Sequence, residues 1–305
     1  MKSDKPISLR QKMATKLFLG ILRFLSWLPL SWAQSLGKML GTLLYWLPNN
    51  SRFLAQSNLN AVYPNLPIEA RNKLVKQVLQ HNAQAMLELG GVWFWSENKI
   101  RNLIKEEHGK ELIDEAYAQG KGVLVLSPHM GSWEMMGAFL SLQYPATYMF
   151  RPPKSPELEK VMTESRSRFG AKLVPTNVVG IKQIVKALKQ NQVSMILPDQ
   201  DAGKNGVHAP FMGIPARTMT LASKLLKTSD AACVYMVILR RPQGGFAVHY
   251  LPADRDALMN KDLVEAATAL NEGVERCVEM ATEQYLWTYR RFRGQPEGMP
   301  NIYQK

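Results

Sequence analysis

From residue 122 onward the chain alternates short apolar runs with helix-like segments, and this alternation constrains the fold more than any other feature. Strand-like runs fall at 122–127, 146–150, 172–174, 193–197, 232–239 and 246–251. Helical segments lie between them at 132–142, 156–169, 179–189 and 218–227, and a long final helix is expected from about 256 to 284. Helices inserted between successive strands predict one α/β domain whose largely parallel central sheet is flanked by helices on both faces. Residues 66–119 read as helix, because Leu74, Val78, Leu79, Met86, Leu87 and Leu89 recur close to a period of about 3.6. No repeat or low-complexity linker interrupts the chain, so an α/β domain over 49–305 is expected behind an N-terminal arm, 1–48.

The arm is basic and apolar at once. Up to Arg52 it carries eight basic residues (Lys2, Lys5, Arg10, Lys12, Lys16, Arg23, Lys38, Arg52) against Asp4, about half of the formal excess of +13. Such a charge favours an anionic partner: nucleic acid, phospholipid headgroups or an acidic carrier. Here the cations flank Trp, Leu and Phe, which suits a membrane surface, and no recognition motif supports a nucleic-acid partner. The stretch 17–30 is interrupted by Arg23 and Pro29, and 39–47 is closed by Pro48, so neither reaches the roughly 20 apolar residues of a spanning helix. Arg23 and the second stretch also argue against a cleaved signal peptide. Two readings remain: a pair of core helices, or an amphipathic anchor or marginal span with Trp27, Trp32 and Trp46 at interfacial depth. Cys233 and Cys277 form no disulfide framework and read as buried thiols.

The first chemical candidates follow the run 122–127, in Ser127-Pro128-His129-Met130-Gly131-Ser132-Trp133-Glu134. Open α/β sheets place chemistry at the carboxyl ends of their strands, and a histidine there can take a proton from a hydroxyl if an acid holds its other nitrogen. The spacing of His129 and Glu134 works only if His129 precedes the helix, Ser132 caps it and Glu134 folds back from the first turn; otherwise His129 is a turn residue and Glu134 complements the helix dipole. A second site, Leu197-Pro198-Asp199-Gln200-Asp201, also follows a strand, and adjacent strand ends would bring Asp199 towards His129. No second histidine is spaced to make Asp199 and Asp201 a metal site; His208 is the nearby candidate, and no metal is expected. Arg151, Arg166, Arg168 and Arg217 are either solvated or phosphate ligands. No Gly-x-Gly-x-x-Gly, Walker run, Gly-x-Ser-x-Gly elbow or cysteine-nucleophile motif occurs.

Together these elements resemble the bacterial lipid A late acyltransferases (lauroyl/myristoyl type), within the glycerolipid-acyltransferase-like superfamily. The resemblance spans nearly the whole chain. It rests on the basic-apolar N-terminus, the 127–134 segment, Phe150-Arg151-Pro152-Pro153-Lys154-Ser155-Pro156, Arg166-Ser167-Arg168-Phe169-Gly170, Pro198-Asp199-Gln200-Asp201, Gly206 to Gly213, and Gln284-Tyr285-Leu286-Trp287 to Arg291-Phe292. Glu134 stands where superfamily members often carry Asp. The resemblance implies acyl transfer from acyl carrier protein to a hydroxyacyl hydroxyl of a Kdo-lipid A precursor, with no cofactor. It also implies an anionic inner-membrane surface as partner and a catalytic domain facing the cytoplasm. In that reading His129 is the general base and Glu134 fixes its tautomer. Amides near Gly131–Ser132, or Arg166, would hold the oxyanion. Asp199 and Gln200 would shape the crevice or hold a substrate group, and Arg151, Arg166 and Arg217 would grip phosphates. Met130, Met135, Met136, Met212 and Met219 are either an acyl groove or core filler. The rivals are an acyltransferase for another membrane glycolipid, a lipid hydrolase using the same His and Glu, and a non-catalytic lipid-binding protein.

Overall fold

A computed structural model describes residues 8–304; Lys2, Asp4 and Lys5 of the arm lie outside them. Ser8 opens α1 (Leu9–Trp27) with a capping box, accepting from the Gln11 amide while the Gln11 side chain returns to the Ser8 amide. Pro29 separates it from α2 (Leu30–Trp46), and Asn49 caps α3 (Asn50–Val62). Both α1 and α2 pack on the long α4 (Ile68–Phe94). At Gly41 a Cβ would fall 2.3 Å from the Gln80 Cα, so only glycine permits so close an approach of α2 to α4. Leu22, Leu25 and Leu30 enter the core beneath the central sheet. None of the described helices is long and apolar enough to cross a membrane, so the expected membrane-anchoring arm has no spanning helix behind it.

The remaining chain builds the sheet. It runs α5 (Glu97–Leu103), β1 (Ile104–His108), α6 (Lys110–Ala118), β2 (Val123–Leu126), α7 (Trp133–Ser141), β3 (Thr147–Phe150), α8 (Pro156–Ser167), β4 (Lys172–Pro175), α9 (Val178–Lys189) and β5 (Val193–Ile196). Then come β6 (Val207–Phe211), β7 (Ile214–Thr218), α10 (Leu221–Ser229), β8 (Ala232–Arg240), β9 (Phe246–Pro252), α11 (Arg255–Leu258) and α12 (Leu263–Met280). Five strands pair in the order β1-β9-β8-β2-β5. β2 is parallel to both β5 and β8, whereas β9 is antiparallel to β8 and parallel to β1. The parallel pair β3–β4 continues beside β5 through an Ala146–Val193 bridge. The sheet is therefore mixed, though mostly parallel.

Side-chain alternation explains why helices cover both faces. Val123 and Val125 of β2 join one core cluster, and Leu124 and Leu126 join the other. The same split separates Val234, Met236 and Ile238 of β8 from Tyr235, Val237 and Leu239. Each fully buried aliphatic side chain of this kind stabilises the fold by about 1.5–3 kcal/mol.

Three elements differ from the sequence expectation. β1 falls inside the segment read as helix; its Lys105-Glu106-Glu107 is an edge strand paired with β9 alone, so it lacks a buried-strand signature. The glycine-containing loop after Asp201 holds the hairpin β6–β7, whose turn residues Met212 and Gly213 both have positive φ (50° and 76°). That turn geometry suits the right-handed twist of the two strands. The final helix is interrupted between Leu258 and Leu263 and ends at Met280 rather than 284.

Candidate active site

Because β2 and β5 are adjacent and parallel, the segments leaving their carboxyl ends emerge side by side. His129 follows β2 and Asp199 follows β5, and the two meet. The His129 Nδ1 lies 2.7 Å from Asp199 Oδ1, and the His129 amide donates to Oδ2 at 2.9 Å. A carboxylate only accepts, so Nδ1 carries the hydrogen and Nε2 offers its lone pair. Gln200 Nε2 stands 3.4 Å from that Nε2. Asp199 is buried, while the His129 side chain keeps a partly open face.

Glu134 is not the acid on the second histidine nitrogen, as the spacing had suggested. It sits in the first turn of α7, where its Oε1 accepts from Arg166 Nη2 at 2.6 Å and its Oε2 faces Trp93 Nε1 at 3.4 Å. Ser132 occupies the N-cap position but makes no side-chain cap bond, so the expected Ser132 cap does not bend the chain. The bend comes from Gly131, at φ 56°, where a Cβ would meet the Ile238 carbonyl oxygen at 2.0 Å.

Burial alone would lower the His129 pKa. The charge and hydrogen bond of Asp199 outweigh it, with the Glu134 charge adding, and hold the imidazole above its ordinary value. Burial would likewise raise Asp199, but the His129 charge, the bonds from the His129 ring and amide, and the charge of Arg291 keep its carboxyl below the usual range. Arg291 is itself buried, donating to the Arg217 carbonyl at 2.8 Å and to Thr218 Oγ1 at 2.8 Å.

The main chain of the histidine loop is almost fully committed to protein partners. The His129 carbonyl accepts from the Leu286 amide at 3.0 Å, and the Met130 amide turns back to the Pro128 carbonyl. The Gly131 amide donates to the Gln284 carbonyl at 3.0 Å, and the Ser132 amide to the Ile238 carbonyl at 2.8 Å. The Gly131 and Ser132 amides expected to form an oxyanion hole are thus occupied by protein carbonyls.

Of the candidate arginines, Arg166 reaches the site, bonded to Glu134 and lying over the Phe150 ring. Arg217 is instead tied bidentately to Asp201, at 2.9 and 2.7 Å. Arg151 is exposed just beyond β3, with no ion-pair partner among the described residues. Arg168 donates to the carbonyls of Val92 and Trp93, fixing the end of α4 and with it the Trp93 indole. His208 bonds the Gly294 carbonyl at 2.9 Å, and among the described residues no three His, Cys, Asp or Glu side chains gather as metal ligands. Cys233 and Cys277 are free and buried.

An apolar cavity of about 180 Å³ opens at His129, Glu134 and Arg166 and runs along Gly137, Tyr148 and Met195. A second, of about 280 Å³, shares Trp93, Trp133 and Glu134 and leads between Phe18, Met86, Leu89 and Met162. The methionines facing the first cavity are Met149 and Met195. Met130, Met135 and Met136 are wholly buried core, and Met212 and Met219 pack against core. Sequence reasoning missed Trp93, Glu88 and Arg240, although an acid at 88 inside an apolar helical stretch was a visible anomaly. A histidine base that borders an apolar slot can activate a hydroxyl beside a hydrocarbon chain.

The model of the family described as "Bacterial lipid A biosynthesis acyltransferase" matches residues 1–294. The lipid A biosynthesis lauroyltransferase of Escherichia coli (strain K12) is 29% identical over 292 residues, 95% of this chain and 94% of that one. The palmitoleoyltransferase of the same organism is 28% identical, covering 93% of this chain and 92% of its own. A phosphatidylinositol mannoside acyltransferase of Mycobacterium tuberculosis (strain CDC 1551 / Oshkosh) is 26% identical over 136 residues, 43% of each chain.

Proposed function

The chain belongs to the bacterial lipid A biosynthesis acyltransferase family and is an acyltransferase, and on that premise we propose that it acts late in assembly, moving a fatty acyl chain from acyl carrier protein to a hydroxyacyl hydroxyl of a Kdo-lipid A precursor. The observation that carries this reading is the His129–Asp199 pair at the mouth of an apolar cavity.

His129 Nε2 removes the acceptor hydroxyl proton, and Asp199 holds Nδ1–H and stabilises the imidazolium that forms. The alkoxide attacks the thioester carbonyl, the carbon–sulfur bond breaks, and the leaving thiolate takes the proton back from His129. Arg166, the cation at the cavity mouth, is placed to hold the oxyanion. Glu134 keeps Arg166 in place and adds negative charge near the imidazolium. Gln200 Nε2 donates towards the histidine lone pair, and the arriving hydroxyl takes its place there. With Arg217 engaged by Asp201, Arg151 is the open candidate for a lipid A phosphate. The cavity running to Gly137 accommodates acyl carbons, and no other cofactor enters the scheme.

The N-terminal helices rest on the anionic cytoplasmic face of the inner membrane in this reading. Leu17, Ile21, Phe24 and Trp27 of α1 and Trp32, Met39, Leu43 and Trp46 of α2 are exposed, and large apolar side chains gathered on two adjacent helices suit an interaction surface. Lys12, Lys16, Arg23 and Lys38 on the same helices would meet headgroups.

A second reading keeps the chemistry and changes the acceptor to another membrane glycolipid, favoured by the match to a mannoside acyltransferase over less than half the chain. Incubation with acyl carrier protein charged with C12 or C14 chains and a tetra-acylated lipid A precursor, followed by mass spectrometry, decides between them. An acylated precursor supports the first reading, free fatty acid a hydrolase, and neither product returns the acceptor to question.

A further inference from the structure

Beneath the histidine loop lies an ion pair that the proposed chemistry does not use. Glu88 of α4 and Arg240, the last residue of β8, have side chains 1% and 4% exposed. Arg240 grips the carboxylate bidentately, Nε to Oε1 at 2.8 Å and Nη2 to Oε2 at 2.7 Å. The same Nη2 also donates to the Gly131 carbonyl at 3.1 Å. Gln34 of α2 donates to Glu88 Oε1 at 2.8 Å, and the Gln284 side chain brackets the Arg240 main chain, accepting from its amide and donating to its carbonyl.

Such burial is poor evidence of a stabilising role, because well-packed apolar residues commonly replace a buried pair without loss of stability. What apolar residues cannot supply is a donor aimed at the Gly131 carbonyl, two residues from His129. The pair also ties that carbonyl to α4, whose Ala85, Leu89, Val92 and Trp93 wall the second cavity. One salt bridge thereby joins the histidine loop to the apolar wall of the second cavity.

We propose that Glu88 and Arg240 are positioning residues, holding the Gly131 carbonyl so that His129 Nδ1 stays on Asp199 and Nε2 stays at the cavity mouth. This rests on the His129-base reading given above.

The test replaces both partners at once, Glu88→Met with Arg240→Met, so that no unpaired charge is buried, and confirms folding by circular dichroism and thermal melting. Labelled-histidine NMR then titrates His129, identified by the signal lost in His129→Gln, and needs no turnover. In the wild type the imidazole titrates above its ordinary value; in the double variant it moves down, as the Asp199 contact loosens. Transfer should slow at least tenfold with KM for donor and acceptor within about twofold, and adding Asp199→Asn should cost little more, since both changes act through one contact. Arg240→Lys should restore only part of the rate, a lysine being unable to hold Glu88 and Gly131 with the same fork. A folded double variant with the wild-type His129 titration and rate would overturn the assignment, as would losses that simply multiply with Asp199→Asn. If the wild type shows no acyl transfer, the chemical reading fails, while the NMR arm still decides the positioning role.

Discussion

Asp199 Oδ1 lies 2.7 Å from His129 Nδ1, although 70 residues separate them in sequence. The pairing makes Asp199 the acid that sets the histidine tautomer. Asp199→Asn should lower kcat by about 10²–10⁴, the range for loss of general-base function. The pH dependence has a defined sign. His129 must be neutral to act, and Asp199 raises its pKa against the opposing effect of burial. The acid limb of kcat/KM should therefore lie above the ordinary histidine value of about 6.5 in the wild type and shift to lower pH in Asp199→Asn. An unshifted limb in an active, folded variant would separate Asp199 from the base.

Glu134 acts through Arg166, so its loss should look different. Glu134→Gln removes a charge-assisted bond, worth about 1.5–3 kcal/mol, and should slow transfer by roughly 10- to 100-fold. Its acid limb should move less than that of Asp199→Asn, since the carboxylate that touches the imidazole remains. Parallel pH–rate profiles of the two variants check this; a larger shift in Glu134→Gln would reverse the assignment of roles.

Gly137 lines the first cavity, where a Cβ would sit 3.6 Å from the Tyr148 ring. Alanine fits at that distance, whereas a leucine side chain would project into the slot. Gly137→Leu should shift donor preference towards shorter acyl chains, read from competition among C8 to C16 donors by product mass. An unchanged profile would place the acyl chain elsewhere.

The exposed stripe on α1 and α2 gives a test at the membrane. Ile21→Glu with Trp27→Glu should abolish flotation with vesicles containing phosphatidylglycerol, and raised salt should weaken wild-type flotation. Both side chains are exposed, so the melting temperature should hold within a few degrees. Flotation unchanged by the substitutions would rule out this face as the contact.

Much of this site was legible in the chain because strand ends are local features. The apolar run 122–127 marked a buried strand, and Pro128 and Gly131 marked the turn carrying His129. Asp199 was equally visible at the end of its own run, but its bond to His129 depends on β2 and β5 being neighbours, which strand order alone decides. Glu134 misled because nearness in sequence was read as nearness of side chains; α7 turns it towards Arg166. The edge strand β1 escaped notice since its polar residues face solvent, and Pro210 and Pro215 disguised the hairpin as loop. The Glu88–Arg240 pair spans 152 residues and leaves no pattern in either segment that names the other.

The most direct measurement is a mass spectrum of a tetra-acylated lipid A precursor incubated with C12- or C14-charged acyl carrier protein and either wild type or His129→Ala. We expect the wild type to add acyl mass and His129→Ala, folded to the same melting temperature within a few degrees, to add none. Undiminished acylation by a folded His129→Ala protein would contradict the assignment of His129 as the base.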